Sequence, residues 1–241
     1  MVFSPVTLGY AFIGGVLPAF VWLYFLLKED ARCPEPRHVI IIAVLAGMLA
    51  VPLALPLEHF AVTSLPKELP PPGGSVILAW AFIEEVLKYL VAAALVLWRR
   101  EVNESVDFVV YMITVALGFA AIENMLFLIQ PIAMGHLADG IATENLRFIG
   151  STLVHVVCSS IVGFALAFTY RMRRRIRTAA MLVGLILAIT LHASFNFLII
   201  QRDGSQTLTA FSVVWSGAVV FLALFEILKY FRYRTLPANT C

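Results

Sequence analysis

The sequence predicts an all-α membrane protein: a polytopic bundle of about seven transmembrane helices, N-terminus outside and C-terminus cytoplasmic. Three observations predict it. First, 61% of the 241 residues are hydrophobic and 13% are charged, with a mean hydropathy of +0.92. Soluble domains carry about 25% charged residues, so this chain lacks the polar groups to cover a water-facing surface. Second, its apolar residues fall in blocks of about 20, the length that crosses about 30 Å of hydrocarbon. Third, basic residues flank alternate ends of those blocks. Together these exclude a soluble enzyme, a nucleic-acid binder and a disordered regulator.

The blocks run at roughly 5–27, 38–56, 75–98, 107–131, 147–170, 178–200 and 207–229. The first follows Met-Val-Phe-Ser-Pro, which lacks the basic start of a cleaved signal peptide, so it is a retained span. The second is the shortest, and Pro52 and Pro56 are placed to bend its end. The third carries Glu84, Glu85 and Lys88, and the fourth Glu123 and Asn124. The fifth carries His155 and ends at the basic run 171–177, a stop-transfer anchor. The sixth carries His192 and Asn196. The seventh ends with Glu226 and Lys229, a snorkelling pair at the interface. Trp80, Trp98 and Trp215 read as belt or packing aromatics. Connections are short except at 57–74 and 132–146, and no internal repeat is present. One domain is expected over residues 1–241, with its motif-bearing core at about 75–200.

Orientation follows from the basic residues rather than from the net charge of +2. Of 17 Lys and Arg, 13 flank the ends assigned to the cytoplasm, from Lys28 through the 171–177 run to Arg234. Only Lys67, Arg147 and Arg202 flank the other ends, and Lys88 lies within a span. Cys33, Cys158 and Cys241 form no disulfide framework, and Cys241, as the final residue, is not placed for prenylation.

Inside the spans, polar residues carry the information. Three charges in the third span cost roughly 9 kcal/mol on insertion scales, against about 5 recovered from its Leu, Ile, Val and Phe residues. Its polar groups must therefore be protonated, paired, or facing a wet cavity within the bundle. Lys88 stands at i+4 from Glu84 and i+3 from Glu85, so one local ion pair is available and one carboxylate is left over. Depth is the stronger signal. Glu84 and Glu85 lie about 14 Å from the outer end of their span, and Glu123, His155 and His192 each about 12 Å from theirs. Four helices of alternating direction thus bring these groups to one level. The stripes Ser151, His155, Ser159, Gly163 and Gly184, Ala188, His192, Asn196 put both histidines on faces suited to close packing.

Four motifs in order resemble the PrsW family of intramembrane proteases, related to the CAAX prenyl proteases and bacteriocin-processing proteins. Glu84-Glu85-Val-Leu-Lys88 resembles E-E-x-x-K/R, and Phe119-Ala-Ala-Ile-Glu123-Asn124 resembles F-x-x-x-E-N. His155 with Gly163, and His192-Ala-Ser-Phe-Asn196, resemble the third and fourth elements. Together they cover about residues 80–197. Glu123-Asn124 sides with PrsW members rather than the CAAX branch. The resemblance implies peptide-bond hydrolysis at or within the membrane, and for PrsW itself cleavage of an anti-sigma factor.

Hydrolysis needs an activated water, a stabilised oxyanion and a proton for the leaving amine. Glu84 or Glu85 is expected as the general base. Glu123, His155 and His192 either hold one divalent metal, zinc above others, or serve a metal-free site in which the histidines and Asn196 hold the water and donate to the oxyanion. No H-E-x-x-H zinc motif is present. Cys158 reads as a packing thiol rather than a nucleophile. The expected partners are the lipid bilayer and a membrane-tethered protein substrate, cut near or below the outer surface, with the 57–74 and 132–146 connections gating entry. A proton-coupled transporter or channel, using the Glu/His cluster as a relay, is the main alternative class; a non-catalytic scaffold is the other.

Overall fold

The computed structural model describes residues 4–29, 34–68, 72–136, 150–200 and 206–235. All regular structure among them is helical: α1 (Pro5–Glu29), α2 (Arg37–Ser64), α3 (Gly74–Leu95), α4 (Ser105–Ala133), α5 (Thr152–Phe168), α6 (Arg174–Ile200) and α7 (Thr207–Thr235). Each falls on one of the apolar blocks. α1, α2, α4, α6 and α7 are long and apolar enough to cross a membrane. α3 carries three charges, and α5 is an apolar helix of 17 residues.

α2 departs most from expectation. It does not stop near residue 56 but runs through Pro52 and Pro56 to Ser64. Each proline removes one helical N–H, yet the sequence beyond Pro56 (Leu57, Phe60, Ala61, Val62) stays apolar, and a packed helix absorbs the break. The connection expected at 57–74 therefore shrinks to 65–73. Most of the 132–146 connection, and the first residues of the fifth block, lie outside the described residues, as do Cys33 and Cys241.

α4 is the axle of the bundle. Every side chain from Val106 to Ala121 is buried, and α4 packs against α1, α2, α3, α5 and α7. In lipid there is little hydrophobic drive between helices, so close packing depends on small residues. Gly47 of α2 and Gly118 of α4 supply it reciprocally. A Cβ at Gly118 would collide with the carbonyl oxygen of Val44, and one at Gly47 with that of Val115. Gly163 does the same for α5, where a Cβ would sit 2.8 Å from Val109 Cα. On α6, a Cβ at Gly184 would sit 2.9 Å from the Cβ of Ala165.

The ends are tied by charge. Lys229 donates to Glu226 at 2.5 Å and to Glu29 at 3.0 Å, so the expected local pair also joins α7 to α1. Arg177, from the basic run, lies over the rings of Trp98 and Phe108 at 4.9 and 4.8 Å. The guanidinium itself rests on these aromatic faces, a cation–π contact.

Gly118→Val should destabilise the protein by about 1–3 kcal/mol through overpacking of the α2–α4 contact. Denaturant unfolding in detergent micelles measures this; an unchanged midpoint would contradict so close a helix crossing.

Candidate active site

α3, α4, α5 and α6 meet around a layer of buried polar side chains. Glu84 is 6% exposed, Glu85 and His192 2%, His155 1% and Lys88 0%. Glu123 is half-buried beside them, and Asn124 is fully buried. Asn124 donates to Thr152 Oγ1 at 3.0 Å, which fixes the start of α5 against α4 and sets the relation of Glu123 to His155.

The hydrogen bonds assign the imidazole protons. Lys88 Nζ donates to Glu85 Oε1 at 2.5 Å and to His155 Nδ1 at 2.9 Å. An ammonium cannot accept, so His155 Nδ1 presents a lone pair and Nε2 carries the proton. That Nε2–H donates to Glu123 Oε2 at 2.7 Å. His192 Nδ1–H donates to Glu85 Oε1 at 2.8 Å, leaving Nε2 as the acceptor of that ring. The two imidazoles meet edge to face with centroids 4.9 Å apart. Phe119 closes the floor, its ring 4.8 Å from Lys88 Nζ and 5.5 Å from the His155 ring.

Glu84 is the carboxylate left over. Lys88 takes Glu85, and Glu84 Oε2 is buried with no hydrogen-bond partner among the described residues. It faces His192 Nε2 at 3.8 Å and His155 Nδ1 at 4.0 Å. His192 Nε2 presents its lone pair to that oxygen, whereas the lone pair of His155 Nδ1 is engaged by Lys88. A carboxylate oxygen set against an imidazole lone pair calls for a proton, a cation or an ordered water between them. Glu84, His155 and His192 offer ligand atoms within 4.8 Å of one another. Each histidine is oriented by a carboxylate on its other nitrogen, the usual support for a metal-bound imidazole. The donor set fits a divalent ion.

This compact triplet contains Glu84, whereas the sequence pointed to Glu123 with the two histidines; Glu123 instead holds the far side of His155. Asn196 lies one turn beyond His192 and lines the adjoining cavity. That cavity has a volume of ≈ 660 Å³, within the range of small-molecule and peptide sites. Glu84, Glu123 and Asn196 open onto it, together with Trp80, Phe119 and Phe195. Cys158 is fully buried and absent from the cavity wall.

Two cavity residues had escaped the sequence. Trp80 read as a belt or packing aromatic; it lines the wall, and its Nε1 is buried without a partner among the described residues. Glu58 read as part of a loop, but α2 continues beneath it and carries it into the cavity wall. The apolar run after Pro56 was the signal that could have found it.

The model of the PrsW family intramembrane metalloproteases matches residues 35–225, taking in all four helices that build this layer. The chain belongs to the PrsW family. Among its relatives, Protease PrsW of Geobacillus kaustophilus is 29% identical over 193 residues, covering 78% of this chain and 79% of the relative. Protease PrsW of Shouchella clausii is 26% identical over 222 residues, covering 92% and 97%. That of Bacillus subtilis is 28% identical over 188 residues, covering 77% and 80%. No solved structure matches. The PrsW chain described here is therefore a membrane peptidase and a multi-pass membrane protein, and the family match lends nothing to the transporter alternative.

Lys88→Met should cost about 3–5 kcal/mol, because Glu85 would be left as an uncompensated buried charge. Adding Glu85→Gln should recover part of that loss. A double-mutant cycle of unfolding in micelles measures the coupling; strict additivity would contradict the pairing.

Proposed function

We propose that this protein hydrolyses a peptide bond in a membrane-tethered polypeptide that enters the cavity beside Glu84. The observation that carries the proposal is Glu84 Oε2, buried, without a hydrogen bond among the described residues, and facing one nitrogen of each histidine. All seven helices cross the bilayer in this reading, with the N-terminus outside, because the positive-inside bias requires alternating directions. α5 crosses as an inner helix, and α3 crosses with its charged residues turned into the bundle and Leu78, Phe82 and Leu90 turned outward. Residues 1–241 act as one domain. The cut then falls near or below the outer surface, about 12–14 Å in by helical rise. A single-span anti-sigma-factor-like protein is the substrate class that the family suggests.

His155 Nδ1, His192 Nε2 and Glu84 Oε2 would hold a divalent ion, and this nitrogen–oxygen donor set suits zinc. Such an ion, when bound, lowers the pKa of a coordinated water and polarises the carbonyl. Lys88 donates to His155 Nδ1 in this structure. That nitrogen has one lone pair, so Lys88 and an ion are alternatives for it. Lys88 keeps Glu85 in either case.

The remaining roles follow from what each side chain already holds. Glu85 accepts from both Lys88 and His192, which makes it a positioning group. Glu123 opens onto the cavity with 21% of its side chain exposed. It takes the proton of the attacking water and returns it to the leaving amine. Asn196 donates to the carbonyl oxygen as negative charge develops there. The aromatic wall of Trp80, Phe119 and Phe195 limits bulk water around the bond.

Metal content and cleavage separate these roles. Glu84→Gln and His192→Ala should lose both bound metal and hydrolysis of a single-span polypeptide. Glu123→Gln should retain the metal while the rate falls by about 10²–10⁴-fold. Elemental analysis of the purified variants, beside mass spectrometry of the products, reads both. Unchanged cleavage in Glu84→Gln, Glu85→Gln and His192→Ala alike would sink the site; a fully metal-loaded Glu84→Gln would remove Glu84 from the ligands.

A further inference from the structure

Among the described residues, the lining of the cavity is unbalanced in charge. Its described lining contains three ionisable side chains, Glu58, Glu84 and Glu123, all acidic, set in an otherwise mostly aliphatic and aromatic wall. Glu84 has the two histidines within 4.0 Å, and Glu123 has the N–H of His155 at 2.7 Å. Lys88, the cation inside the layer, is committed to Glu85 and His155. Glu58 has no such group: no hydrogen bond or ion pair holds it among the described residues. A carboxylate held in an apolar wall is costly until a positive group meets it. Glu84 Oε2 supplies a second sign that the cavity awaits a ligand, since it is buried and unpartnered on the same wall.

Position says which part of a ligand would reach Glu58. It stands six residues before the end of α2 at Ser64, and Glu84 stands ten after the start of α3 at Gly74. The two ends adjoin across the short 65–73 connection. At 1.5 Å per residue, Glu58 therefore lies about 6 Å nearer the cavity's outer end than Glu84 does. An extended polypeptide advances about 3.3 Å per residue, so the two carboxylates differ in depth by about two residues of a substrate running along the helices.

We propose that Glu58 is a specificity residue of this cavity: its carboxylate receives a lysine or arginine side chain of the bound polypeptide, about two residues from the bond that faces Glu84. The assignment rests on the protease reading for the identity of the ligand. It goes beyond that reading in naming the residue that selects among substrates. A cation on the substrate gives Glu58, which has no ion pair among the described residues, a partner of opposite charge. A neutral residue of equal length leaves that carboxylate unpaired, which is how the cavity would discriminate.

The test uses full-length protein in micelles and a set of labelled single-span peptides carrying Lys, norleucine or Glu at successive positions around one bond. Fluorescence anisotropy reads binding, and mass spectrometry reads cleavage separately. Wild type should bind the Lys peptide about tenfold more tightly than the norleucine peptide at one position of the series. Glu58→Asp should keep that preference, Glu58→Gln should erase it, and Glu58→Lys should transfer it to the Glu peptide. A wild type with no preference at any position overturns the proposal, as does Glu58→Gln with its preference intact or Glu58→Asp failing together with Glu58→Gln. Charge-selective binding without any cleavage supports the role of Glu58 while sinking the protease reading. Cleavage without charge preference supports the protease and overturns Glu58.

Discussion

A fully buried ammonium group sets the terms for the rest of this bundle. Lys88 has no exposure at all, and taking such a charge out of water is affordable only with close, well-aimed acceptors. Glu85 and His155 provide them, from α3 itself and from α5. Everything around the site inherits its state from that pairing. Glu85 is neutralised and turned toward His192, the proton of His155 is forced onto Nε2 and toward Glu123, and Glu84 Oε2 is left without a hydrogen bond among the described residues. A chain of four hydrogen bonds thus fixes two imidazole tautomers and singles out one carboxylate. Replacing the lysine with an apolar residue would do more than remove a charge, because each of those assignments would be reopened.

Such a network holds its geometry only if the helices that carry it cannot drift. α4 supplies the rigidity by being buried on every face through its middle, and glycines let its neighbours reach its backbone. Gly163 brings α5 against α4 two turns from His155, and Gly184 brings α6 against α5 two turns from His192. The small residues therefore sit on the same helical faces as the histidines. Close packing and polar placement are one design here: the glycines bring the backbones near enough for short side chains to meet at hydrogen-bond distance.

Much of this was legible in the sequence, for a physical reason. Lipid tolerates so few polar side chains that those placed mid-span stand out, and their depth can be counted from helical rise. The apolar blocks that hold the described helices, and the roster Glu84, Glu85, Glu123, His155, His192 and Asn196, came from that contrast. Partnership within the roster did not. Both Glu84 and Glu85 are in reach of Lys88 along the helix, and only rotamers and the approach of α5 and α6 decide between them. The same limit hid the compact triplet, since depth cannot tell which oxygen faces which nitrogen. Glu58 was lost differently. Two prolines in five residues look like a helix end, whereas a helix wedged against α3 and α4 continues through them. Local backbone rules mark a weakness there, and tertiary packing overrides it.

In the proposed reaction, water activated in the layer where Glu84, Glu123, His155 and His192 meet adds across a peptide bond within the membrane. The most direct measurement is mass spectrometry of a single-span polypeptide incubated in heavy-oxygen water with the purified protein in lipid vesicles. One heavy oxygen should appear in the new terminal carboxylate, and the new ends should map to a bond inside the outer half of the spanning segment. An intact polypeptide, or fragments whose new carboxylate carries no heavy oxygen, would contradict the account.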